Sequence, residues 1–399
     1  MPMAIRVPKG FLVAGVHSGV KRDLRKQDLT LVVSEVPAVA VGVYTQNLVY
    51  AAPVALDRSR TPSQRIRVVV INSGNANACT GERGLKDAYE MARLGTEAVG
   101  AEEDQALVLS TGVIGHYMPM DRIAQGVKLA AAQLGSDEDA LVSAARGMMT
   151  TDTVHKIAGR TISIRRREIQ ITGMVKGAAM MGPNLATMLG LVMTDAALDV
   201  GAAQAALQTA VADSFNCINV DGHMSTNDTV LLLANGAAGG GVLAGDDLAT
   251  FGRSLNGLCA ELARAIPADG EGASHLITIE VSGTKTREDA LQIARTIANS
   301  PLVKTAICGA DPNWGRIVSA AGYAGVPFDP AGVSLFLNGF QLYQGGTPVD
   351  FDGKSVSDSI RNNRDTLIQL QLSEGGARGR FWTTDLTQEY VRLNADYHT

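Results

Sequence analysis

Residues 176–189 read K-G-A-A-M-M-G-P-N-L-A-T-M-L, and this stretch limits the fold more than any other. It is too apolar for an exposed loop and too rich in Gly and Pro for a helix. Gly177, Gly182 and Pro183 punctuate it, and Pro183 drives the residue before it out of the helical region. From Thr187 the pattern becomes T-M-L-G-L-V-M-T-D, a strand-like run. A turn should therefore deliver Thr187 to the first position of a buried strand. A threonine hydroxyl is a poor nucleophile unless a base sits beside it. Cutting the Ala186–Thr187 bond would create that base, because an unperturbed α-amino group titrates near pH ~7.7. A small residue before the threonine, and a Pro-Asn turn upstream, suit an N→O acyl shift. On residue types alone the plainer reading, one more threonine at a strand edge, remains the stronger.

Composition bounds the alternatives. A chain of 399 residues can bury a large core and make two or three lobes. Its 46% hydrophobic and 19% charged content is that of a globular protein. A net charge of −5 offers no polycationic surface, so nucleic acid is not an expected partner. Cys79, Cys217, Cys259 and Cys308 form no C-x-x-C pair and no metal spacing with histidine, and read as reduced core residues. No secretory signal and no uninterrupted run of about 18 apolar residues is evident, so a cytoplasmic enzyme is expected.

Periodicity places the remaining segments. Short strands are expected before residue 60, the clearest at 39–45. A strand at 65–71 runs into N-S-G-N-A-N-A-C-T-G at 72–81, either a path for a ligand or a loop capped by its own asparagines. A helix at 85–98 precedes a buried strand at 106–110 that ends in T-G-V-I-G. Helices are expected at 121–134 and 137–148, the second capped by Ser136, followed by M-T-T-D-T at 149–153. A strand pair over 161–171 carries Arg165, Arg166 and Arg167 as a solvated edge. Helices follow at 201–214, 248–265 and 287–298, and strands at 276–281, 303–307, 333–337 and 367–372. The glycine cluster at 234–241 lacks the G-K-[ST] of a phosphate loop. Trp314 reads as a core anchor.

Eight segments, in order, carry a resemblance: N-S-G-N-A-N-A, S-T-G-V-I-G, T-T-D-T, the A-T-M-L segment, S-T-N-D, G-E-G-A, D-P-N-W-G-R and N-A-D-Y-H-T. The chain resembles, over its whole length, the ornithine acetyltransferase / glutamate N-acetyltransferase family of arginine biosynthesis. The resemblance implies a mixed α/β (α+β) fold: stacked β-sheets flanked by helices, of the self-cleaving N-terminal-nucleophile type, with a smaller C-terminal α/β portion. It implies division into residues 1–186 and 187–399, with Ala186 and Thr187 flanking the cleavage site and Thr187 as nucleophile. Thr111 and Gly112 would form the oxyanion hole. Thr153, Lys176, Thr187, Glu271, Asn394 and Thr399 would bind substrate.

The implied reaction passes acetyl from N-acetylornithine to glutamate through an acetyl-threonine, and some family members also use acetyl-CoA. No cofactor or metal is called for, and a heterotetramer of two α and two β chains is the implied assembly. The chain departs from the family pattern at Ala178, Ala179 and Met181, at His223, and at Ser274 and His275. Two rivals remain open: a self-cleaving amidase or aminopeptidase of the same fold, and an uncleaved, inactive binding protein.

Overall fold

The computed structural model describes residues 5–180, 182 and 188–396. Eight strands form one sheet: β1 (Phe11–Val16), β2 (Leu29–Tyr44), β3 (Ser63–Asn75), β4 (Ala106–Val113), β5 (Lys156–Ile164), β6 (Arg167–Lys176), β7 (Leu189–Thr194) and β8 (Thr229–Ala234). Their order is β4-β3-β2-β8-β7-β6-β5, with β1 also paired to β2. Strand β2 joins two wings. Its first half pairs with β1, its second half with β8, and β3 runs along both, with register breaks between Val33 and Ala38 and between Ala38 and Ala40.

Side-chain alternation shows that the wings face each other. On β3 and β4, Val69, Ile71, Leu107 and Leu109 share one core with Leu189, Leu191, Met193, Leu231 and Leu233 of β7 and β8. The intervening residues point outward: Val68, Val70 and Val108 into one cluster, Val192, Val230 and Leu232 into another. Strands buried on both faces need such unbroken apolar runs.

Helices α1 (Ala52–Arg60), α2 (Gly81–Val99) and α3 (Met120–Ala131) cover the first wing. Helix α4 (Glu138–Met148) packs Leu141, Ala144 and Met148 against the inner core. Helices α5 (Val200–Ala212) and α6 (Gly245–Ala268) cover the second wing, and their core continues into a second sheet. That sheet holds β9 (Leu276–Thr284), β10 (Ser334–Leu337), β11 (Phe340–Gln344), β12 (Thr347–Pro348), β13 (Asp365–Gln371) and β14 (Ala377–Thr384), in the order β12-β11-β10-β13-β9-β14. With it go α7 (Arg287–Asn299), α8 (Pro301–Cys308), α9 (Trp314–Gly322) and α10 (Gly353–Arg361). The last helix, α11 (Gln388–Asp396), has no buried residue of its own.

The expected α/β architecture with stacked sheets and a smaller C-terminal portion is therefore present. Several local expectations are corrected. Residues 303–307 are helical. Ser300 accepts the Val303 N–H, Pro301 opens the first turn, and Val303, Ala306 and Ile307 are buried at helical spacing. The short apolar run mimicked a strand because its cap lies outside it. Helix α4 is capped by Asp137, whose carboxylate accepts the Ala140 N–H at 2.8 Å, and not by Ser136. Helix α1 was not expected at all. Trp314 is only half-buried and stacks on Tyr343 with ring centroids 5.3 Å apart. Cys217 and Cys259 are buried, but Cys79 is exposed.

Truncating a side chain between the wings tests this core. Leu231→Ala should cost about 2–5 kcal/mol, read as a lower urea midpoint, because both wings hold the cavity open. Leu302→Ala, at a residue 60% exposed, should leave the midpoint in place.

Candidate active site

Five of the residues singled out in the sequence meet at one cavity of about 300 Å³: Thr111, Gly112, Lys176, Glu271 and Asn394. They come from the end of β4, the end of β6, the loop after α6, and α11. A second cavity of about 590 Å³ adjoins it, sharing Gly112, Thr150, Thr151 and Glu271, with Lys21, Arg22 and Lys26 on its other side. Thr153 lies in this second cavity, not the first, and its hydroxyl and N–H both donate to Asp269. Ala186, Thr187 and Thr399 lie outside the described residues.

The Thr111–Gly112 turn at the end of β4 is shaped by two glycines. Strands β3 and β4 run parallel, with Gly74 opposite Gly112. At Gly112, φ is +132°, and an added Cβ would stand 2.3 Å from the Gly74 carbonyl carbon. Only glycine fits there. The buried Asn227 amide donates to Ala76 O at 2.7 Å and Ser110 O at 2.8 Å, tying both strand ends to the S-T-N-D loop. The asparagines of 72–77 hydrogen-bond backbone carbonyls at Asn75, Gly84, His116 and Tyr117. The loop is tied by its own asparagines, and its Gly74 and Ala76 also line the two cavities.

A buried ion cluster fixes the floor. Lys156 Nζ donates to Asp152 Oδ1 at 2.7 Å and to Asp269 Oδ2 at 2.6 Å. Asp152 Oδ1 also accepts the Gly177 N–H at 2.7 Å, and its Oδ2 accepts the Thr150 N–H at 3.0 Å. Burial raises the Asp152 carboxyl, but Lys156 and Lys176 together hold it below the usual carboxylate range. Lys176 is fully buried, and its Nζ lies 3.4 Å from Thr150 Oγ1. Burial lowers its ammonium pKa, opposed by Asp152, Asp228 and Glu271.

The tail closes the site from the other side. The Glu271 N–H donates to Ala178 O at 2.9 Å, and Asn394 Nδ2 donates to Glu271 Oε2 at 3.2 Å. Gly272, at φ +64°, lets α11 pass close, since a Cβ there would meet Tyr390 N at 2.5 Å. Tyr390 Oη donates to Asp221 Oδ2 at 3.2 Å, which also accepts the Met180 N–H at 2.7 Å. The sequence reading gave no role to Tyr390, Asp221, Thr150, Thr151, Asn227 or Asp228. Thr150 and Thr151 carried a signal as part of T-T-D-T, and Asn227 and Asp228 as part of S-T-N-D.

Of the departures from the family pattern, Ala179 and His223 line the cavity. His275 does not: its Nδ1 pairs with Asp385 Oδ2 at 3.1 Å. Ser274 also donates to that carboxylate. Among the described residues, no cluster of His, Cys, Asp and Glu could hold a metal ion, and no helix is long and apolar enough to cross a membrane.

A family model, ArgJ family, matches residues 12–399. The chain belongs to the ArgJ family. It is 43% identical over 396 residues to the arginine biosynthesis bifunctional protein ArgJ of Rhodopirellula baltica, covering 98% of this chain and 96% of that one. It is 45% identical over 398 residues to the protein of that name from Symbiobacterium thermophilum, covering 99% and 98%. Among solved structures it resembles the ArgJ crystal structure from Bacillus halodurans, at 38% identity and a TM-score of 0.51. That match covers 98% of the Bacillus chain and 52% of this one. In this ArgJ chain the ion cluster and the tail helix together frame the family's motifs.

Lys156→Ala should cost about 3–5 kcal/mol at neutral pH, because it strands two buried carboxylates. The penalty should shrink as pH falls through the depressed pKa of Asp152, where the acid no longer needs a cation; melting temperatures across acidic pH check this. His275 behaves oppositely. Its hydrogen bond to Asp385 raises its pKa above 6.5, so the advantage over His275→Gln should be full below 6.5. It should fade as pH rises through the folded-state value.

Proposed function

We propose that the chain cuts itself before Thr187 and then carries acetyl from N-acetylornithine to glutamate on the Thr187 hydroxyl. Its class, an acyltransferase of arginine biosynthesis, follows from membership of the ArgJ family. The observation that supports the steps is the convergence of Thr111, Gly112, Lys176, Glu271 and Asn394 on one cavity, from segments spread over most of the chain.

In the cut itself, the Thr187 hydroxyl attacks the Ala186 carbonyl and the acyl group moves from nitrogen to oxygen. Water then hydrolyses the ester, leaving an Ala186 carboxylate and a free Thr187 α-amine. In the transfer, this amine takes the hydroxyl proton as Oγ attacks the acetyl carbonyl. Donors at Thr111 and Gly112 stabilise the oxyanion. The proton passes to the departing ornithine amine, and acetyl stays on Oγ. The α-amine of glutamate then attacks this ester, and Thr187 recovers its proton. Lys176 would pair with the substrate carboxylate and Glu271, oriented by Asn394, with a substrate amine. Thr153 and Thr399 are the remaining assigned substrate contacts.

Strand pairing supports survival of the cut pair as one body. β6 belongs to residues 1–186 and β7 to 187–399, and they pair along Ile171–Lys176. The Bacillus chain, matched almost wholly by about half of this one, has the length expected of one such piece. Two cut pairs would form the heterotetramer.

A denaturing gel with N-terminal sequencing is the test. The wild type should give residues 1–186 and a second piece beginning T-M-L-G-L, and Thr187→Ala should stay whole and inactive. Acetyl transfer should show parallel lines in double-reciprocal plots. Release of free acetate independent of glutamate would instead indicate a hydrolase.

A further inference from the structure

The acetyl transfer sets Glu271 a conflict of charge. N-acetylornithine and glutamate both carry an α-carboxylate, which falls to Lys176. The far end of one side chain is an ammonium, and that of the other a carboxylate. A carboxylate at Glu271 attracts the first and repels the second. The acceptor therefore needs a cation within reach of Glu271, and Lys176, occupied by the α-carboxylate, does not supply it.

The adjoining cavity of about 590 Å³ holds one. Glu271 and Gly112 line both cavities, whereas Lys21, Arg22 and Lys26 line only the second. Arg22 and Lys26 are exposed, while Lys21 is half-buried and so the least screened of the three. The Lys21 stem lies over Gly74, where an added Cβ would stand 3.1 Å from Lys21 Cγ, and Gly74 is the register partner of Gly112. Its backbone N–H donates to Asp28 Oδ2 at 2.8 Å. Its Nζ donates to Gln27 O at 2.8 Å and to Met149 O at 2.6 Å, the latter one residue before Thr150. An ammonium has three N–H groups, so among the described residues one is left for a ligand. The second acid of this cavity, Asp23, is engaged by Arg25, whose Nε and Nη2 each donate to it at 3.0 Å.

We propose that Lys21 is the specificity-determining residue for the acetyl acceptor: its ammonium takes the side-chain carboxylate of glutamate in the second cavity and repels the side-chain ammonium of ornithine, which stays with Glu271. The α-carboxylate returns to Lys176 in each half-reaction, and the two side chains part at the wall that the cavities share. Attraction for one substrate and repulsion of the other come from the same charge. Burial lowers the Lys21 ammonium to about 8, with Asp28 and Asp152 opposing, so most of it carries its charge at neutral pH.

The inference rests on the transfer proposed above, and the test separates the two. Lys21→Met keeps a stem over Gly74 and removes the charge. Three rates are read: exchange of labelled ornithine into N-acetylornithine without glutamate, acetyl transfer to glutamate, and acetyl transfer to its uncharged isostere glutamine. The variant should lose at least about 10-fold in kcat/KM for glutamate, the worth of a charged hydrogen bond. Ornithine exchange and transfer to glutamine should stay within about threefold of wild type, so the preference for glutamate collapses. Loss of a mere strut to Met149 would slow all three together; that result, or an unmoved preference for glutamate over glutamine, overturns the inference and leaves the transfer standing. Should the variant fail to fold, reductive methylation of the wild type decides. N-acetylglutamate should shield Lys21 at least about 10-fold better than N-acetylglutamine, and equal shielding overturns the inference. A wild type that neither exchanges ornithine nor acetylates glutamate sinks the transfer, and the role of Lys21 with it.

Discussion

The site depends on one ammonium. Lys156 sits between Asp152 and Asp269; Asp152 also accepts the N–H of Thr150 in its own loop and of Gly177 after β6, and Asp269 accepts the N–H of Thr153. The hydroxyl-rich loop after α4, the start of the 176–189 stretch and the glycine-flanked Glu271 are thereby locked together. A buried pair of this kind adds little net stability over a well-packed apolar group. Its effect is geometric: each carboxylate offers several lone pairs in a low-dielectric floor, so three loops must arrive in one arrangement.

The sheet provides the second constraint. β6 and β7 pair directly, with Lys176 opposite Leu189. Two acids hold the described residues beyond those strand ends: Asp221 accepts the Met180 N–H and Asp228 the Met188 N–H.

Much of the fold was legible in the chain. The continuous apolar runs of β3, β4 and β7 announced buried strands, because a two-sided core demands them, whereas β8 was not picked out. Long amphipathic segments such as α2, α6 and α7 followed from their periodicity. The failures share a cause. Residues 303–307 are five apolar-rich positions whose helical nature depends on Ser300 and Pro301, and the cap of α4 was misplaced by one residue because two good capping residues adjoin. Local pattern ranks possibilities, but the hydrogen bond that decides between them lies in the flanking residues.

The sequence alone determined which residues could carry the chemistry. A threonine after a small residue, a lysine in an apolar run, a glutamate between glycines and an asparagine near the end are properties of composition and order. It also determined the family, since eight ordered segments survive along the chain. Only the tertiary structure decided which of them share a cavity. Thr153 was displaced to a neighbouring one, its hydroxyl engaged by Asp269, while Tyr390 and Asp221 entered unannounced. The physical reason is that burial and charge pairing are set by residues scores of positions apart. A lone Asp in a loop looks the same in sequence whether it is solvated or, as here, closed off beside the nitrogen of Met188.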